Sequence, residues 1–93
     1  MVNPYRTGEL VVSRAGRDSG KYYLVVGREN ENYVKIANGA TRKIENPKRK
    51  NIKHLRSTGV IYEELAIWLE NKKKIRNEDL KRFIKNSEKK RGG

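Results

Sequence analysis

The run Gly16-Arg17-Asp18-Ser19-Gly20-Lys21-Tyr22 brings glycines, an acid, a hydroxyl and two cations into one short loop. These are the ingredients of a phosphate cradle. A P-loop has four residues between its glycines, then a lysine and a Ser or Thr that holds magnesium, and it leads from a strand into a helix. Here three residues separate Gly16 from Gly20, and Tyr22 stands at the hydroxyl position. The following YYLVVG reads as a strand. A nucleotide-phosphate loop therefore fails on spacing, chemistry and context.

Catalysis is supplied no better. His54 is the single histidine and there is no cysteine, so thiolate sites, multi-histidine metal sites and a cysteine nucleophile are excluded. A Ser-His-Asp arrangement would have to be built on this one imidazole. It lies beside Leu55 in an alternating segment, where a structural hydrogen bond or a phosphate contact suits it better. The acids are scattered or placed near helix starts. The chain reads as no enzyme, with no cofactor and no metal.

What remains for the loop is a hairpin tip. Gly16 and Gly20 let the backbone turn and approach a partner closely, since neither carries a Cβ. Asp18 and Ser19 can close the turn through their own side chains. Arg14, Arg17 and Lys21 then project from a rigid tip, and the planar arginine fork suits phosphate oxygens. Charge supports such a partner. The 93 residues hold 23 Lys and Arg against 11 Asp and Glu, a formal net charge of +12. The segment 47–56 holds five basic residues and no acid. Such a surplus favours a polyanion, nucleic acid ahead of an anionic membrane.

The elements that must position these groups change character near Leu55. Before it, short β-rich runs alternate with turn signals: GELVVSR, KYYLVVGR, NYVKIA, TRKIE as a return strand after Asn38-Gly39, and NIKHL after the Pro47 break. In NYVKIA, Val34 and Ile36 share one face, with Tyr33, Lys35 and Ala37 on the other. Tyr22 and Tyr23 alternate sides, so at least one is a core residue, and the other packs or offers a face to a base. Five short strands in so few residues suit a small, strongly bent barrel of SH3-like type.

Past Leu55 the period becomes helical. Ile61, Leu65, Trp68 and Leu69 make one stripe. Ser57 or Thr58 can cap that helix, and NKKK ends it. Asn77, with Glu78 and Asp79, starts a second helix that buries Leu80, Phe83 and Ile84. Trp68 and Phe83 read as packing residues, and the closing EKKRGG should fray. The expected organisation is thus a barrel over 1–56 and a helical extension over 57–93, packed on or beside it. No window approaches ~18 apolar residues, and MVNPYRTGEL has no apolar signal region, so a cytoplasmic protein without a membrane partner is expected.

VVSRAGRDSGKYYLVV resembles a KOW motif, the RNA-binding strand–loop–strand of ribosomal proteins and transcription elongation factors, and Gly20 matches its most constant glycine. PKRKNIKHL resembles archaeal and eukaryotic large-subunit ribosomal proteins of the fourteen-e type, and is similar to short KOW-domain RNA-binding proteins of some bacteria. The likeness covers residues 7–56. It implies an SH3-like KOW barrel that binds structured, ribosomal RNA in translation, a ribonucleoprotein component beside neighbouring ribosomal proteins and monomeric away from the ribosome. The residues it marks are Arg14, Gly16, Arg17, Gly20 and Lys21 of the loop, with Lys48, Arg49, Lys50, Lys53 and His54 of the basic segment. Tyr23 stands where many such motifs carry another glycine, so no backbone contact is carried over there. Arg42 and Lys43 are added on physical grounds, because the Asn38-Gly39 turn would hold them near the basic segment. An ordinary exposed strand face explains that pair equally well. Two other readings stay open: a KOW module acting on transcription machinery or a small RNA, and a protein-interaction domain that docks through its helical tail.

Overall fold

The apolar runs on either side of the glycine loop form the centre of the molecule. A computed structural model of the protein describes residues 3–91, with side chains through Ser87. β1 (Glu9–Ser13) and β2 (Tyr22–Arg28) pair as an antiparallel hairpin, with Val11 opposite Tyr23 and Leu10 opposite Leu24. β3 (Tyr33–Ala37), β4 (Lys48–Asn51) and β5 (Leu55–Ile61) complete one antiparallel sheet, in the order β4-β3-β2-β1-β5. Two helices follow, α1 (Glu63–Glu70) and α2 (Asn77–Arg91).

The sheet is strongly curled. Its two edge strands, β4 and β5, are joined by only a 3-10 turn at Ile52–His54. A flat five-stranded sheet would hold its edges about 19 Å apart, whereas the four Cα steps from Asn51 to Leu55 reach at most about 14 Å. Two irregularities assist the bend. The β2–β3 register shifts between Val25 and Gly27. The β1–β5 register shifts between Glu9 and Val11, where Gly59 takes φ +85° and the Thr58 hydroxyl donates to the Leu10 carbonyl at 2.8 Å. Extra residues on one strand bend it and increase its twist. No strand pairing joins β4 to β5 among the described residues, so the ladder is not closed.

Both faces of the sheet are covered, which explains why β1 is buried along its whole length. One face packs Val11, Tyr23, Val25, Val34, Ile36 and Leu55 with Tyr5. The other packs Leu10, Leu24 and Ala37 against Leu65, Leu80 and Phe83 of the helices. Two glycines allow that close docking. A Cβ on Gly8 would lie 2.6 Å from the Tyr62 carbonyl oxygen, and one on Gly39 would lie 2.3 Å from that of Asn77.

Three sequence expectations are corrected. TRKIE is not a strand. Asn38 organises an irregular connection instead, its side-chain oxygen accepting from the Ala40 and Arg42 amides at 2.9 Å each. Asn77 then draws Ile44 toward the helices through a 2.8 Å bond to its amide. The return strand is the basic segment itself, β4. NIKHL is not one strand either: it spans the end of β4, the 3-10 turn and the start of β5. Finally, Ser57, Thr58 and Ile61 belong to β5 rather than to a helix, because pairing with β1 takes them. The first helix starts at Glu63, after Tyr62, with no side-chain cap.

β5 therefore runs through the expected division at 56/57. Val34 and Ile36 do share a buried face, and the second helix does begin at Asn77 and bury Leu80 and Phe83, with Ile84 half-buried. α2 continues to Arg91, through most of the EKKRGG run expected to fray, and Gly92 and Gly93 lie outside the described residues. Among the described residues no helix is long and apolar enough to cross a membrane.

Candidate nucleic-acid interface

The glycine loop is a shaped tip. Gly16 and Gly20 take φ +73° and +86°, and a Cβ on either would meet nothing within 4 Å. Positive φ and exposure together are what glycine supplies there. A 3-10 turn at Gly16–Asp18 sits between them. The loop is closed by backbone bonds from the Gly20 amide to the Ser13 carbonyl (2.8 Å) and from the Ser13 amide to the Lys21 carbonyl (3.0 Å). Arg14, Arg17 and Lys21 are exposed and have no carboxylate partner among the described residues.

Asp18 does not close its own turn. Its side chain reaches across to β4, where the Lys48 ammonium donates to Oδ2 at 2.8 Å. That bond is the main reason its carboxyl titrates below the ordinary value. Partial burial opposes the shift, while a hydrogen bond from the Tyr23 hydroxyl and the charge of Lys50 reinforce it. Tyr23 titrates above its ordinary value, through burial first and the bond to Asp18 second. Tyr23 is thus a core residue whose hydroxyl joins the polar node. Tyr22 is half-buried and faces the helices.

Register divides the basic segment. Lys48 pairs with Ile36 and Lys50 with Val34, so both lysines fall on the face of those core residues, half-buried and turned toward the loop. Arg49 alternates to the other face. It donates to Glu29 at 2.8 Å and lies 3.6 Å over the Tyr33 ring. A purely basic run in the sequence is therefore two unlike surfaces in the fold. Inward-pointing lysines also blunt an exposed sheet edge.

Lys53 and His54 are exposed on the 3-10 turn, whose Lys53 amide is held by Asn51 at 2.9 Å. The Arg14 amide donates to the His54 carbonyl at 2.7 Å, which sets these two beside each other at the base of the loop. Arg56, exposed one step along β5 opposite Val12, extends this group. Arg56 counts among the five basic residues of 47–56 but was not marked as a site residue, because the PKRKNIKHL run that carried the resemblance ends at Leu55. Arg42 is half-buried, and its charge acts on the Tyr23 hydroxyl, which places it at the polar node. Lys43 is exposed, and its side chain forms no ion pair with the loop or β4 among the described residues.

The loop, Lys48, Lys50 and Arg42 are thus brought together, with Arg14, Lys53, His54 and Arg56 adjoining. Arg49 and Lys43 stand apart. Among the described residues, no three His, Asp or Glu side chains gather as a metal site would need. No family model matches the chain.

Proposed function

We propose that this chain is a non-enzymatic RNA-binding protein, ribosomal or ribosome-associated, whose sheet is an SH3-like barrel of the KOW kind. The observation that carries the reading is the Asp18–Lys48 ion pair, which puts the glycine loop and the basic strand side by side on one surface. Around it, Arg14, Arg17, Lys21 and Lys53 are exposed cations with no carboxylate partner among the described residues. The three-residue link between the edge strands and the order β4-β3-β2-β1-β5 support the barrel assignment. Loop and strand cations contact the phosphates of structured RNA, and the open space at Gly16 and Gly20 lets the backbone approach.

Docking through the helical tail is less well supported. Leu65, Leu80 and Phe83 are already buried against the sheet, and Ile67 is the large apolar side chain left exposed among the described residues.

Titrating structured RNA at several salt concentrations tests the reading. With ~4–6 phosphate contacts the log–log salt slope is on the order of −3 to −5. A flat salt response would falsify phosphate-driven binding, and partner binding that persists at high salt would favour the helical tail as a protein-docking surface. Recovery of the protein with the ribosome in one-to-one stoichiometry would separate a ribosomal component from a factor of transcription or of a small RNA.

A further inference from the structure

Next to the glycine loop, a groove of about 480 Å³ opens between the start of β2, the 38–47 connection and α2. Its size falls within the ~300–1,000 Å³ of sites that enclose small organic groups. Lys21 stands on one wall, and Lys81 and Lys85 stand on the other, one helical turn apart on α2. All three are exposed, and none of the described residues that line the groove carries a carboxylate. The apolar part of the lining is Tyr22, Ala40 and Ile84. The lining amide and hydroxyl of Asn38 and Thr41 are bonded to each other at 3.0 Å.

A ligand matched to this lining has a flat, weakly polar part and an anionic part. A nucleotide has both, and base contacts with such platforms tolerate any sequence because every base has a π-face. We infer that the groove takes one unpaired nucleotide of the bound RNA, its base against Tyr22 and Ile84 and its flanking phosphates on Lys21, Lys81 and Lys85. The inference rests on the RNA-binding reading and gives it a preference for an extruded base. Lys21 belongs to both the loop and the groove, so the groove continues the interface across the 38–47 connection onto α2. The second helix then has two tasks: its buried side covers the sheet, and its lysine-bearing side extends the binding surface.

The test uses the full chain and two short RNA hairpins matched in nucleotide number. One is fully paired and the other extrudes a single 2-aminopurine. The parent should bind the extruded-base hairpin about tenfold more tightly and change the fluorescence of its base. Lys81→Gln/Lys85→Gln alters only exposed side chains, so its melting should match the parent's. It should lose the preference and the fluorescence change, with a salt slope shallower by ~1.4–1.8 on that hairpin and near-parental binding of the paired one. Arg17→Ala should weaken both hairpins alike and keep the preference. Equal binding of the two hairpins by the parent overturns the groove assignment and leaves RNA binding standing, as does a preference that survives in the double variant. Salt-sensitive binding to neither hairpin overturns both readings.

Discussion

Lys48 Nζ lies 2.8 Å from Asp18 Oδ2, and this pair spans 30 positions of sequence to tie the β1–β2 loop to the edge strand β4. It does two things at once. It sets the separation of the two most basic features of the surface, and it neutralises one of the lysines between them. The loop itself does not depend on it, because the Gly20, Ser13 and Lys21 backbone bonds already close the turn.

The pair should show in the acid limb of stability. The folded-state pKa of Asp18 is depressed, chiefly by the bond from Lys48. Its contribution is therefore complete above the unfolded-state pKa near 4 and is lost as pH falls through the lower folded value. Both side chains are partly exposed, 35% for Lys48 and 21% for Asp18, so solvent limits the contribution to below ~1 kcal/mol. Asp18→Asn should melt slightly below the parent at neutral pH, and the two melting curves should converge in acid. A gap that stays constant down to about pH 2 would assign the effect to something other than this ionisation.

Arg17 and Arg49 should behave differently although both are exposed arginines of the predicted site. Arg17 is exposed and has no carboxylate partner among the described residues, so Arg17→Ala should make the salt slope for RNA shallower by about 0.7–0.9, one phosphate's worth. Arg49 is held by Glu29 and stacked on Tyr33, on the face away from Lys48 and Lys50. Arg49→Ala should leave the slope nearly unchanged and cost a little stability. Equal slope changes would mean that the whole basic surface contributes, whatever its orientation.

Two positive-φ glycines separate strain from crowding. Gly20→Val meets open space, so only the backbone conformation is penalised, by roughly 1–2 kcal/mol, and Arg17 is misplaced. RNA affinity should fall at least as far as in Arg17→Ala. Gly39→Ala adds a backbone clash with Asn77 to the same conformational penalty, so it should cost about 3 kcal/mol by pushing α2 from the 38–47 connection. Thermal melts of the two variants rank them. If Gly20→Val melts and binds like the parent, the loop is not a shaped contact.

A chain ended after Ile61 should not fold. Leu10, Leu24 and Ala37 lose Leu65, Leu80 and Phe83 as their cover, which exposes one whole face of the central strands. Each large apolar side chain returned to water forfeits about 1.5–3 kcal/mol, comparable in sum to the whole stability of a small domain. Circular dichroism and a melting scan of the shortened chain check this. A cooperative, parent-like melt would show that the sheet is self-sufficient and the helices are an appendage.

Features set by near neighbours were legible in the sequence. Gly16 and Gly20 bracket a turn wherever the flanking strands go, LVV and YYLVV are apolar enough to be strands, and Asn77 with Glu78 and Asp79 announces a helix start. The alternation of Val34 and Ile36 against Lys35 was equally plain. The surplus of positive charge is also a property of composition alone.

Other features exist only through distant partners. RSTGVI carries no mark that distinguishes a helix approach from a strand, and β1 decides it by offering an unpaired edge. TRKIE has the composition of a return strand, yet Asn38 and the remote Asn77 hold that stretch in another shape. The clearest case is Lys48-Arg49-Lys50. In the sequence these are three equal cations. In the fold the pairing of Lys50 with Val34 turns Lys48 and Lys50 toward the loop and sends Arg49 to Glu29. Successive side chains in a strand point to opposite faces, so a slip of one residue would exchange the roles. Which cation stands free at the surface is thus decided by strand register, and register is set by the packing of a whole face against its core.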